Sequence, residues 1–188
     1  MKRRDFLVAA PLAAAGFSVL AAPPAGSLPV AGAHYFEIRK PVNIGEAASK
    51  RALFYFFSLR CVHCSAIYAQ HLQLKAKLPK DVELVPVHVD FGVEHQAFQR
   101  FYYAAQDLRA SDEVIGKVYA LVHGPAARRV KDKAAALALA SEVGLDAKKF
   151  EAAYDGFAVA GKLKWANSLV QAFGVDGTPA YAVGVQYF

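Results

Sequence analysis

The 188-residue chain contains two cysteines, Cys61 and Cys64, and they stand together in Cys61-Val62-His63-Cys64 directly after the apolar run Ala52 to Ser58. A nearly continuous apolar, aromatic run of that length reads as a strand buried on both faces. Residues three apart in a helix rise about 4.5 Å along the axis and share nearly one face, so their Cα atoms fall within bridging distance. Strand, cysteine pair and helix therefore follow one another. Cys61 is placed at the helix start, among unpaired backbone N–H groups that favour thiolate over thiol.

That placement sets the expected chemistry. Cys61 is the candidate nucleophile, and Cys64, one turn deeper, is the candidate resolving thiol that attacks the Cys61 sulfur in a mixed disulfide. The imidazole of His63 can stabilise the Cys61 thiolate by hydrogen bond or charge, and Arg60 adds a second nearby cation. A structural disulfide is the competing reading, but a bridge over two intervening residues removes little entropy from the unfolded chain. A zinc site would need His34, His71, His88, His95 or His123, none at ligand-pair spacing with another. No metal or organic cofactor is expected.

Lys2, Arg3 and Arg4 precede an apolar stretch from Phe6 to Ala22 that ends in small residues, the layout of a bacterial secretory signal peptide over residues 1–22. Arg3-Arg4-Asp5-Phe6-Leu7 also has the look of a twin-arginine signal. Either route leads to the periplasm, where disulfides persist. Removing Lys2, Arg3, Arg4 and Asp5 with the leader lowers the formal charge from +6 to +4. A mildly basic, evenly spread charge reads as a solvated surface, Arg128-Arg129-Val130-Lys131 included, and argues against a nucleic-acid partner.

Along the mature chain, Pro23 to Gly32 is a polar lead-in and Tyr35 to Ile38 a short edge strand. Ala52 to Ser58 and Val82 to Val89 read as neighbouring strands, joined by a helix from Val62 to Lys77 that ends at Leu78-Pro79. From Glu94 to Phe173 the pattern is helical. The expected helices are Glu94 to Leu108, Ser111 to Val122, Asp132 to Val143, Asp146 to Tyr154 and Val159 to Phe173, with Gly116, Gly124-Pro125, Gly144 and Gly156 as punctuation. The aromatics Phe98, Phe101, Tyr102, Tyr103, Phe150 and Tyr154 recur at core spacing. Gly174 to Phe188 returns to strand through Thr178-Pro179, where a cis peptide bond would turn the Thr178 N–H and C=O outward to pair with an extended substrate segment.

Phe56-Phe57-Ser58 before the cysteine pair, Tyr102-Tyr103-Ala104-Ala105, Phe150-Glu151-Ala152-Ala153-Tyr154 and Gly174-Val175-Asp176-Gly177-Thr178-Pro179-Ala180 resemble the DsbA family of periplasmic thiol:disulfide interchange proteins. The likeness covers about residues 35–187. It implies an α/β thioredoxin-like fold with a helical domain inserted between the central strands: residues 23–93 and 174–188 form the thioredoxin-like part and 94–173 the insertion. It further implies Cys61 as attacking cysteine, Cys64 as resolving cysteine, His63 as thiolate stabiliser, and Thr178 and Pro179 as the substrate-binding pair facing them. The implied activity is oxidation of cysteines in newly exported proteins by a monomeric enzyme that a DsbB-type membrane partner reoxidises. A reductase or isomerase on the same scaffold, and a binding protein with a structural C-x-x-C, are the alternatives. The chain departs from the family pattern at Val62, at Arg60, and at Tyr55, which stands where the best-known members carry a buried acidic residue. The family pattern also runs on through a further strand and helix, so the C-terminal part reads as truncated at Phe188.

Overall fold

The computed structural model describes residues 28–38 and 51–184. The expected signal peptide therefore lies outside the described residues. β1 (Ala52–Phe57) is the middle of a three-stranded sheet ordered β2-β1-β3, with β2 (Glu83–His88) parallel to it and β3 (Ala180–Val183) antiparallel. Phe54 pairs in register with Val85 on one side and with Ala182 on the other. All six residues of β1 are buried, which explains why its sequence lacks the polar alternation of a half-exposed strand.

The two-residue period of the strand sends its rings to opposite faces. Phe54 and Phe56 meet Phe173, at the end of α7 (Phe157–Phe173), with ring centroids 5.0 and 5.3 Å apart. On the other face Tyr55 stacks on His71 of α2 (Tyr68–Lys77) at 4.0 Å, and Phe57 meets Tyr102 of α3 (Val93–Asp107) edge-on at 4.8 Å. Each buried ring contributes about 1.5–3 kcal/mol of transfer free energy, so β1 is both the centre of the sheet and the main anchor of the core.

The helical stretch resolves into α3, α4 (Asp112–His123), α5 (Lys133–Glu142), α6 (Ala147–Asp155) and α7. Each expected helix is present, within a residue or two at the ends. The starts of α4, α5 and α6 are fixed by side-chain caps: Ser111, Asp132 and Asp146 accept the N–H of Val114, Ala135 and Lys149 respectively. The six core aromatics named above are all buried.

Three expectations need correction. The helix after the cysteine pair is broken into α1 (Val62–Ala66) and α2 at Ile67, whose φ of −93° and ψ of 4° leave the helical range and whose N–H bonds the carbonyls of His63 and Ser65. Gly116 does not punctuate; it lies inside α4, where a Cβ would stand in van der Waals contact with the Tyr68 ring at 3.4 Å. Tyr35 to Ile38 carries isolated bridges at Tyr35, paired with Ala31, and at Glu37, in place of a strand.

Candidate active site

The turn from β1 into α1 brings the two cysteines to the end of the central strand. Cys61 is the N-cap of α1, with extended backbone (φ −83°, ψ 118°), and its sulfur accepts the Cys64 N–H at 3.4 Å. It occupies the position that Ser111, Asp132 and Asp146 hold on their own helices, with sulfur in place of oxygen. N-cap positions favour an acceptor, and an anionic one most. Because α1 is only five residues long, the stabilisation comes from the local N–H groups rather than from the dipole of a long helix.

Cys61 and Cys64 are free thiols in unlike settings. Burial, the largest single influence, raises the Cys61 thiol. The Thr178 side chain, the Cys64 N–H and thiol, and the His63 backbone N–H together outweigh it, so the Cys61 pKa falls below its ordinary value. Cys64 is fully buried, and that burial, joined by the neighbouring Cys61 and opposed by the Ser58 backbone, pushes its pKa up to about 12. Two thiols three residues apart are thus separated in acidity by their surroundings alone. One is ready to ionise; the other needs a proton acceptor.

The opposite wall comes from the loop entering β3. The Thr178–Pro179 peptide bond is cis. As a thiol, Cys61 donates to the Thr178 carbonyl at 3.3 Å. That contact favours the protonated form and the Thr178 side chain the ionised form, so Thr178 touches both states of the sulfur. The partners stand 117 positions apart in the sequence.

The flanking side chains differ from expectation. Arg60 does not add its charge to the sulfur: its Nε donates to Glu94 at 2.8 Å, and Arg129 donates to the other carboxylate oxygen of Glu94 at 2.9 Å. Glu94 responds to these two cations, Arg60 first, with a pKa below the usual carboxylate range. The His63 ring is exposed and has no hydrogen-bond partner among the described residues, so it is the main chain of His63 that reaches Cys61. Val62 is 58% exposed beside the cysteine.

Two histidines missing from the expected site hold its loop. His88 is fully buried, accepts the Leu59 N–H on Nε2 at 2.9 Å and donates from Nδ1 to the Val89 carbonyl at 2.9 Å, an arrangement that fixes the neutral tautomer. Burial lowers its pKa to about 3. His123, the last residue of α4, donates from Nε2 to the Leu59 carbonyl at 2.9 Å. The Leu59 peptide is therefore clamped on both sides, two residues before Cys61. In the sequence these histidines offered only an unsupported zinc-ligand pattern, and among the described residues no cluster of three or more His, Cys, Asp or Glu is placed to hold a metal.

A family model described as a DSBA-like thioredoxin domain matches residues 52–188. The thiol:disulfide interchange protein DsbA of Bordetella pertussis is 32% identical over 175 residues, covering 93% of this chain and 81% of that protein. DsbA of Pseudomonas aeruginosa is 27% identical over 157 residues, covering 84% and 74%. The fold matches the crystal structure of the Xylella fastidiosa oxidoreductase DsbA with a TM-score of 0.77 at 23% identity, over 86% of this chain and 87% of that one. With the family model matched over most of the chain and a relative 32% identical along most of its length, the strand-to-helix cysteine pair has its place: the chain belongs to the DsbA-like thioredoxin family and is a thiol:disulfide oxidoreductase.

Proposed function

We propose that this oxidoreductase works as an oxidase, passing a Cys61–Cys64 disulfide to cysteine pairs of newly exported polypeptides in the periplasm. The observation that carries the reading is the divided acidity of the pair, with Cys61 lowered by hydrogen bonds at the helix start and Cys64 raised to about 12 by burial. A substrate thiolate attacks the Cys61 sulfur, the Cys61–Cys64 bond breaks, and Cys64 leaves and takes up a proton. The substrate's second thiol, deprotonated, then attacks its own mixed-disulfide sulfur and expels Cys61 as a thiolate. Two electrons pass to the protein, and a DsbB-type membrane disulfide takes them back. Stabilising the Cys61 thiolate makes it a better leaving group and favours the dithiol protein, which makes the disulfide oxidising.

His63 supports this chemistry through its backbone N–H. Thr178 and Pro179 form the substrate-facing wall, with the Thr178 carbonyl already 3.3 Å from the reacting sulfur. An extended segment pairing beside Thr178 would bring its cysteine to Cys61, and the exposed Val62 gives the approach an apolar border. A related Proteus mirabilis DsbA has been crystallised with the non-covalently bound peptide PWATCDS, which contains a cysteine. The export address comes from the N-terminal signal pattern and from the DsbA relatives.

The test is equilibration with glutathione followed by transfer to a reduced two-cysteine peptide. An oxidase yields an equilibrium poised towards the dithiol protein and rapid oxidation of the peptide. An equilibrium favouring the protein disulfide, with net reduction of an oxidised peptide, would instead establish the reductase reading.

A further inference from the structure

Cys64 must lose a proton to attack a mixed disulfide and gain one when it is expelled, yet it is sealed from solvent. Behind it, the face of β1 opposite α7 holds a cavity of about 300 Å³ whose lining includes Tyr55, His71, Tyr119 and Lys75. The hydroxyls of Tyr55 and Tyr119 are buried, and the groups acting on the Tyr55 hydroxyl include the Cys64 thiol and the Tyr119 hydroxyl. Both sense the Cys64 sulfur electrostatically, as does Tyr181. The Tyr181 hydroxyl in turn stands 2.9 Å from Nδ1 of His71, and Tyr55 stacks on the His71 ring at 4.0 Å. Burying a hydroxyl is costly unless something uses it, and a cavity of this size with polar walls has room for several waters.

We propose that the hydroxyls of Tyr55, Tyr119 and Tyr181 form a proton path joining Cys64 to His71, with His71 the acceptor and donor of the Cys64 proton. Resting on the exchange reaction proposed above, the step balances as follows. The Cys64 proton moves to the Tyr55 or Tyr119 oxygen as that hydroxyl passes its own proton to Tyr181, whose hydroxyl gives its proton to Nδ1 of neutral His71. The Cys64 thiolate attacks the Cys61 sulfur, the bond from Cys61 to its partner breaks, and the partner leaves as a thiolate. When Cys64 is itself expelled, imidazolium His71 returns the proton along the same path.

His71 is suited to the part because it is 7% exposed but is faced by groups of both signs: Lys75 on its own helix, Asp112 on α4, and the hydroxyls of Tyr55, Tyr119, Tyr181 and Tyr68 from β1, α4, β3 and α2. Burial and then Lys75 lower its pKa and Asp112 raises it, with a net fall below the ordinary histidine value, which keeps it neutral at physiological pH. Lys75 is tied to Asp112 at 2.7 Å, so the pair adds little net charge to the cavity.

The experiment follows reduced protein mixed with oxidised glutathione, quenched in acid and resolved by mass spectrometry. The first phase is attack by Cys61, and the second is collapse of the Cys61–glutathione adduct by Cys64. Loss of the first phase in the unmodified protein would defeat the exchange reading itself. The relay concerns the second phase alone. His71→Gln and Tyr55→Phe should each slow it about a hundredfold, the lower bound for a lost acid–base group, while the first phase keeps its rate and pH profile. The second phase of the unmodified protein should show an inflection below pH 6.5, absent in His71→Gln. Tyr55→Phe removes one oxygen and keeps the ring that stacks on His71, so it decides the matter should His71→Gln not fold. A second phase unchanged by Tyr55→Phe, or a first phase slowed equally, would overturn the proposal.

Discussion

His88 Nε2 accepts the Leu59 N–H at 2.9 Å, which ties the end of the parallel strand β2 to the loop that presents Cys61. A protonated His88 could not accept that bond, so acid acts on the site through stability. Its folded pKa of about 3 lies below the ordinary 6.5, and the unfolded chain therefore binds more protons between those values. Stability from this group is full above pH 6.5 and is lost as the pH falls towards 3, with a slope approaching about 1.4 kcal/mol per pH unit. Denaturant titrations of the oxidised protein across this window should show that slope, and His88→Gln should flatten it while lowering stability at neutral pH.

The two cysteines give the dithiol form its own pH signature relative to the disulfide, in which neither titrates. Cys61, with a pKa lowered from 9.0, stabilises the folded dithiol as the pH rises through its folded pKa, and the contribution is complete above about 9. Cys64, raised from 9.0 to about 12, favours the folded state below 9 and loses that advantage above it. The melting temperature of the dithiol minus that of the disulfide should therefore climb with pH, peak near 9 and decline. Calorimetry of both forms would check this, and a difference that stays flat from pH 5 to 9 would remove Cys61 from the account.

His63 reaches the sulfur by its backbone, which a substitution leaves in place. His63→Ser should accordingly raise the Cys61 pKa by less than about one unit. A rise of several units in alkylation titrations would assign the stabilisation to the imidazole instead.

Glu94 holds both Arg60 and Arg129 away from the sulfur. Glu94→Gln should release Arg60 and lower the Cys61 pKa modestly, by a fraction of a unit that shrinks with added salt because the groups are half exposed. Alkylation rates at low and high ionic strength provide the comparison.

On the far face of the sheet, Phe56 packs on Phe173. Phe56→Ala should cost about 3–5 kcal/mol of stability through the lost transfer free energy and the cavity left behind, measured by denaturant unfolding. The Cys61 pKa should stay unchanged, because the altered ring points away from the cysteine face.

What the sequence made legible was local. The unbroken apolar run over Ala52 to Phe57 and the adjacent cysteine pair announced a central strand feeding a helix, and the caps at Ser111, Asp132 and Asp146 marked helix starts closely. The Leu59 clamp was illegible, because its histidines lie 29 and 64 residues from Leu59 and a buried neutral histidine has no pattern of its own. Arg60 misled for the same reason: its charge is spent on Glu94, 34 residues away. Tyr55 stands where the family pattern has an acid, and its neighbours Tyr119, Tyr181 and His71 come to one side of β1 only through the fold.

The most direct measurement is the pH dependence of iodoacetamide alkylation at Cys61 in the dithiol protein. The rate should follow a single ionisation below that of an ordinary cysteine thiol, with Cys64 unmodified throughout. A Cys61 that alkylates with the pH profile of a model thiol would contradict the account at its base.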